Sequence, residues 1–358
     1  NGDHHQSREL HSMKRVAILC GGPGSEHEIS CLSAGGVLSA IDRAEYEPVL
    51  IGITRDGKWM ALPLDYPLSI ENGLLPSVSG NFPEVMREKN ALTVDGDDVA
   101  IDVIFPVLHG TYGEDGQLQS NLDQLGIPYV GSGTVASEQA MDKSDAKTLF
   151  SAAGIAIAPG VTVTESEWKQ NPESVTQSIA PLGLPLFVKA SRGGSSRGTV
   201  KVKEHSAFAA AMEEALSFDS KVLIESGIDG AEVECAVLEI DGSAQASIPG
   251  KVWIDPQYEF YDFQAKYLDG ATRIDIPAPF AAEIIEKIQS YALIAFKAIG
   301  AKGLARVDFF VTKSGEIIIN EINTMPGFTR TSAYPKMWQA TGIGYSEVIT
   351  HLLKSALR

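Results

Sequence analysis

Three apolar runs in the first third of the chain, residues 16–20, 49–53 and 103–108, are continuous rather than alternating. That is the pattern of strands buried on both faces of a parallel sheet. Residues 30–41 and 117–125 carry helical spacing between and after them, so this third predicts a parallel α/β unit. Residues 63–100, rich in Pro, Gly and Asn, read as an irregular insertion. A strand with a flexible exit at 128–133 sets a first boundary. The second segment, 134–230, predicts a helix over 140–153, a strand over 184–189, a Gly/Ser loop, a helix over 206–218 and a strand over 222–225. In the third, 231–358, strong alternation over 232–240 predicts an antiparallel strand with one covered face. A striped helix over 281–299 follows, then strands over 304–311 and 316–323 separated by Lys313, Ser314 and Gly315.

Composition narrows the class. The 358 residues are 44% hydrophobic and 21% charged, enough apolar surface to offset chain entropy in two or three domains. A net charge of −17 argues against nucleic acid or an anionic membrane as the main partner. Cys20, Cys31 and Cys235 are odd in number and lack CxxC spacing, which fits a reducing compartment and no zinc or disulfide framework. The apolar runs fall short of a membrane span. Residues 1–12 read as an expression remnant ahead of Met13, which removes His4, His5 and His11 from consideration as site residues. A cytoplasmic location is expected.

The chemistry concentrates in three places. Period-2 alternation puts Arg306 and Asp308 on one strand face, and Glu321 and Asn323 on one face of the next. A two-residue Ser314–Gly315 turn sets Asp308 opposite Glu321 and Arg306 opposite Asn323; a three-residue loop shifts that register by one. Opposed carboxylates repel at the roughly 4.5–5.5 Å of a cross-strand pair. A divalent cation would reverse the sign, and two carboxylates with an Asn carbonyl suit Mg²⁺. The alternative is a solvated strand face on which Arg306 neutralises Asp308.

The second place is the strand ending in Lys189 and the loop Ser191-Arg192-Gly193-Gly194-Ser195-Ser196-Arg197-Gly198. Its glycines and N–H groups suit phosphate, although Thr199 stands where a P-loop needs Lys; a flexible hairpin tip is the other reading. Lys189 closes an apolar strand, so its ammonium needs an anion or water, and Lys143 is a second candidate cation. The third place is the turn from Gly21 to Glu28. It lacks the dinucleotide fingerprint, because His27 replaces the last glycine, and Glu26 and Glu28 would repel a pyrophosphate. This turn suits a cationic group such as a substrate amine, or is a glycine turn with a capping acid.

Taken in order, GGPGSEHEIS (21–30), LHGTYGEDG (108–116), MDK (141–143), LFVKASRGGSSRG (186–198), LIESG (223–227), YDFQAKY (261–267), RVDFF (306–310) and NEINTMPGFT (320–329) resemble the D-alanine–D-alanine ligase family of the ATP-grasp superfamily. The resemblance runs from Met13 to the C-terminus. It implies an N-terminal α/β domain (13–133) followed by an ATP-grasp pair of antiparallel-sheet domains (134–230 and 231–358). The implied reaction joins two D-alanines at the expense of ATP, making a cell-wall dipeptide precursor through an acyl phosphate. By motif, Lys143 and Lys189 meet the ATP phosphates under the 193–198 loop, which includes Ser196. Glu225 meets the adenine amino group and Glu232 the ribose. Asp308, Glu321 and Asn323 hold two Mg²⁺ ions, with Mn²⁺ an alternative. Glu26 binds the first amine and forms a positioning trio with Ser195 and Tyr267. Lys266 and Ser332 contact phosphate or the second carboxylate, and Arg306 and the Gly327 N–H line the oxyanion site. The family also implies a homodimer. Ala190, Arg197 and Ser226 depart from the usual pattern at positions that act mostly through backbone. The aromatic stretch 253–273, with Tyr258 and Tyr261, suits a closing lid or a plain surface loop. His27 and His109 read as turn or orienting residues, and no general base is assigned.

Overall fold

The computed structural model describes residues 13–194, 197–255 and 272–358. Its N-terminal sheet has the order Trp59–Leu62, Tyr46–Ile53, Lys14–Gly21, Val103–Pro106, parallel except for the antiparallel Trp59–Leu62 edge. Val16 to Cys20 are fully buried because both faces are covered. Val16, Ile18 and Cys20 share a core with Cys31, Ala34 and Val37 of helix His27–Ala40; Ala17 and Leu19 share one with Leu118, Leu122 and Leu125 of helix Gln117–Leu125. The first of these cores continues through Ala236, Leu238 and Trp338 into the last third of the chain.

Two expectations change here. The 63–100 stretch is not wholly irregular: Val85–Glu88, Ala91–Val94 and Asp97–Val99 form a small antiparallel sheet. Its strands are only three or four residues long, too short for periodicity to register, and its turns use Asn90 and Asp95 in the left-handed region. The helix expected over 140–153 is two helices, Thr134–Met141 and Lys143–Ala152, broken at Asp142. Asp142 caps the second helix, accepting the Asp145 N–H at 3.2 Å, and also takes Ser191 Oγ at 2.6 Å and Lys221 Nζ at 2.9 Å. The break anchors that helix to the strand that enters the glycine loop.

The central sheet is antiparallel, in the order Thr199–Val202, Leu186–Ala190, Lys221–Ser226, Gly160–Thr164. The C-terminal sheet runs Thr272–Asp275, Gly250–Ile254, Gly230–Ile240, Leu304–Thr312, Ile317–Asn323, with Ser243–Ala246 added beside Gly230–Ile240. Among the described residues, no helix is long and apolar enough to cross a membrane.

The last hairpin corrects the sequence reading and also explains why its result survives. The loop is three residues long: Thr312 N–H donates to Glu316 O, and Val311 pairs with Ile317. Carried inward unchanged, that register would set Asp308 opposite Asn320. A β-bulge between Phe309 and Asp308 absorbs Asn320 as the extra residue, so Asp308 faces Glu321 and Arg306 faces Asn323.

One part of the interior is charged. Lys147 (4% exposed), Lys189 (9%) and Glu225 (3%) are buried together, with Lys147 Nζ donating to Glu225 Oε2 and Lys189 Nζ to Oε1. Burial works to raise the Glu225 carboxyl, but the two ammonium groups outweigh it and hold it at about 2. A depressed carboxylate stabilises the fold above its ordinary value of 4.5, and that stabilisation is lost as pH falls toward 2. Glu225→Gln should therefore cost about 3 kcal/mol at pH 7, the scale of breaking a buried pair. In urea titrations across pH the gap to the parent should close between 4.5 and 2. A gap that does not change with pH would show that the charge on Glu225 contributes nothing.

Candidate active site

Two cavities meet within the fold. The larger, about 470 Å³, lies between the central and C-terminal sheets. Phe187, Val233, Val252 and Phe309 give it apolar walls, and Lys189, Glu225, Glu232, Asp308 and Asn320 line it too. The smaller, about 40 Å³, is lined by Glu26, His109, Glu114, Arg306, Asn323 and Gly327. Lys143 and Glu321 line both. An apolar slot with ammonium groups on its lining suits a flat ring carrying an anionic tail, and the adjoining cleft has both acid and guanidinium for a small zwitterion.

At the junction the acidic hairpin is packed, not solvated. Arg306 forks onto Asp308, Nε to Oδ1 at 2.9 Å and Nη2 to Oδ2 at 2.8 Å, and lies 3.5 Å from Glu234 Oε2. Asn323 Nδ2 adds a 3.3 Å bond to Asp308 Oδ2. Arg306 does neutralise Asp308, as the alternative reading held, but on a largely buried face rather than a solvated one. Burial, with Glu234 and Glu321 nearby, lifts the Asp308 carboxyl to about 7 against the pull of Arg306. Asp308, Glu234 and Glu321 thus stand close together around the Arg306 guanidinium. Among the described residues no cluster of three or more His, Cys, Asp or Glu is arranged to hold a metal. The oxygen donors at hand are two carboxylates and an amide, a set compatible with a hard divalent cation.

The first turn is held by its histidine. His27 Nδ1 lies 2.7 Å from Gly22 O, and its Nε2 accepts the Val78 N–H at 2.9 Å, which makes Nδ1 the donor. Glu26, 3% exposed, precedes the helix and lies against Gly110. Gly110 has φ +80°, and a Cβ there would stand 2.5 Å from Glu26 Oε2, so glycine is required.

His109 and Glu114 reach across to the other side of the cleft. Burial holds the His109 imidazole below its ordinary range, hence neutral. Its two ring nitrogens pair with Met325 O at 3.0 Å and Ser33 Oγ at 2.8 Å. With one donor and one acceptor in the ring, Nδ1–H donates to the Met325 carbonyl, and Nε2 accepts from Ser33. Glu114 accepts the Gly110 N–H at 2.6 Å and the Met325 N–H at 3.3 Å. Burial first, and Glu26 second, raise the Glu114 carboxyl to about 8. The backbone of Met325, two residues before Gly327, is thus held on both sides by side chains from the 108–116 motif.

Of the residues singled out from sequence, Glu26, Arg306, Asn323 and Gly327 gather at the small cleft, and Lys189, Glu225, Glu232 and Asp308 at the large one. Lys143 heads its helix, its Nζ donating to Gly193 O. Ser332 lines neither cavity; it bonds Thr329 N–H at 3.0 Å and Thr329 Oγ1 at 2.6 Å beside Gly327. Ser195, Ser196, Lys266 and Tyr267, with most of the expected lid, lie outside the described residues. Sequence reasoning missed Lys147, Glu114, Glu234 and Asn320. Lys147 stands four residues after Lys143 on one helix and Glu234 two after Glu232 on one strand, so both shared a face with a chosen residue. Nothing in the pattern could have found the bulge at Asn320.

Comparison with known proteins agrees across the chain. A family described as D-ala D-ala ligase N-terminus matches residues 15–132, and one described as D-ala D-ala ligase C-terminus matches 149–354. A D-alanine–D-alanine ligase of Arthrobacter sp. (strain FB24) is 44% identical, over 97% of this chain and 95% of that protein. One from Streptomyces coelicolor is 43% identical, over 96% and 93%. Among solved structures, the VanG D-Ala:D-Ser ligase from Enterococcus faecalis superposes with a TM-score of 0.84 at 35% identity, covering 96% of this chain and 99% of that one. The D-alanine-D-alanine ligase from Coxiella burnetii gives 0.83 at 32%, covering 96% and 94%. On this evidence the chain belongs to the D-alanine–D-alanine ligase family of the ATP-grasp superfamily and is an ATP-dependent ligase.

Proposed function

We propose that the ATP-dependent joining of D-alanine to D-alanine runs through an acyl phosphate formed where the two cavities meet. The observation that carries this reading is that Lys143 and Glu321 line both cavities. ATP takes the larger, with its adenine against Phe187 and Val252, the amino group toward Glu225 and the ribose toward Glu232. Lys143 and Lys189 face its phosphates beneath the 193–198 loop, to which Ser196 belongs. Asp308, Glu321 and Asn323 supply the oxygen donors for magnesium, or manganese in its place. Bound there, the metal supplies neutralisation of phosphate charge during transfer.

The first D-alanine takes the smaller cleft, its ammonium on Glu26, with Ser195 and Tyr267 completing that contact by family resemblance. Its carboxylate oxygen attacks the γ-phosphorus, a P–O bond forms, and the bond to the β-phosphate oxygen breaks to release ADP. The amine of the second D-alanine then attacks the acyl carbonyl. Arg306 and the Gly327 N–H receive the oxyanion, and phosphate leaves as the peptide bond forms. Lys266 and Ser332 complete the contacts to phosphate or the second carboxylate. The product, D-alanyl-D-alanine, is a peptidoglycan precursor, and the enzyme acts in the cytoplasm as a homodimer.

Phosphate release from MgATP should depend on D-alanine alone. D-Serine offered as the second acceptor should leave D-alanyl-D-alanine the main product; no release with D-alanine removes the proposal. Glu321→Gln should lower kcat by about 100-fold or more, the scale of losing a preorganised charge contact, with circular dichroism unchanged. A kcat near the parent's would take Glu321 out of the metal site. Glu26→Gln should raise the KM for the first D-alanine about tenfold, one hydrogen-bonded charge contact, and leave the KM for ATP within about twofold. Equal changes in both constants would move Glu26 away from the amine.

A further inference from the structure

Lys147 lines neither cavity, yet its ammonium is fully buried and committed to Glu225. The three charges are ordered in depth. Lys147, from helix Lys143–Ala152, lies behind; Glu225, from strand Lys221–Ser226, lies in the middle; Lys189, from strand Leu186–Ala190, faces the larger cavity and also reaches Asn320 Oδ1 at 3.4 Å. One carboxylate needs one cation, and a second buried ammonium carries its own desolvation cost. Glu321 also acts favourably on Lys147, but the hydrogen bond of Lys147 goes to Glu225, and a second cation bonded to that one carboxylate needs a reason beyond holding the strands together.

The reason lies in the two demands on Lys189. In the structure it is a counter-ion of Glu225; to serve a bound nucleotide it must face phosphate. If it were the sole partner of Glu225, moving toward phosphate would leave a buried carboxylate uncompensated, which is strongly unfavourable. We propose that Lys147 is a positioning residue, the permanent counter-ion of Glu225, whose presence lets Lys189 pass from Glu225 Oε1 to the nucleotide phosphates. Lys147 sits one helical turn beyond Lys143, so a single helix presents one cation to the phosphates and the other to the carboxylate behind them. Asp142 fixes the start of that helix by accepting Lys221 and Ser191. Burial pulls the Lys147 ammonium down to about 8, with Glu225 opposing, so it remains charged at neutral pH.

This inference rests on the larger cavity being the ATP site, and its test separates the two. Lys147→Met should lower kcat about tenfold or more, because Lys189 stays on Glu225, while the KM for D-alanine is unchanged. Lys147→Arg keeps the charge and should stay within about threefold of the parent's kcat. The decisive readout is nucleotide binding measured without turnover: by calorimetry, Lys147→Met should weaken binding of a non-hydrolysable ATP analogue about tenfold, and Lys147→Arg should restore it to within about threefold. A merely structural lysine predicts a Lys147→Met enzyme that unfolds in less urea but keeps the parent's kcat and analogue affinity, and that result overturns the proposal, as does a Lys147→Arg enzyme as slow as Lys147→Met. If Lys147→Met does not fold, Lys147→Gln is read in the same way: weakened analogue binding with a lowered kcat supports the release of Lys189, and parent-like values of both refute it. A parent enzyme that releases no phosphate with D-alanine defeats the functional reading instead.

Discussion

Carboxylates taken out of water must be matched by positive charge, and much of this molecule is arranged around that constraint. Asp308 shares a largely buried sheet face with Glu234 and is forked by the guanidinium of Arg306, with Glu321 directly opposite. Glu225, a short way along the same cavity, is answered by two ammonium groups. Carboxylates and ammonium groups thus stand together on the lining of one cavity, beside the apolar Phe187, Val233 and Phe309.

The same constraint links the two ends of the chain. Residues 108–116 reach from the N-terminal sheet to Met325, with His109 donating to its carbonyl and Glu114 accepting its N–H. Because Glu114 also accepts the Gly110 N–H, the glycine that makes room for Glu26 and the loop that carries Gly327 are tied to one side chain. Phe328 extends the link through packing. It is fully buried against Phe105 of the N-terminal sheet and against Tyr334 and Tyr345, and Tyr345 Oη donates to its carbonyl at 2.6 Å. The smaller cleft is therefore framed by segments about two hundred residues apart in sequence that behave as one wall.

Much of the architecture could be read from the chain because buried strands and striped helices announce themselves by period. The runs at 16–20 and 103–108 and the helix Gln117–Leu125 are of this kind. The strand Gly230–Ile240 was anticipated with one covered face, but both are packed: Val233, Cys235 and Val237 face one core, Ala236 and Leu238 the other. Elements too short for a period were not legible: the sheet from Val85 to Val99, and the single-residue break at Asp142, across which the apolar stripe continues. In the site, the opposition of Asp308 and Glu321 was anticipated from a turn of the wrong length. Two departures, one in the loop and one in the bulge at Asn320, cancel at the residues that matter.

By itself the sequence determined which residue types share a strand or helix face, since side-chain direction follows from backbone period, and its ordered motifs identified the family. What tertiary structure alone decided is which charges pay for which. Lys189 and Lys147 lie 36 and 78 residues from Glu225, and Glu114 lies 211 from Met325. No local rule sets such distances; they are fixed when sheets and helices close on one another and each buried polar group must find its partner in the space left.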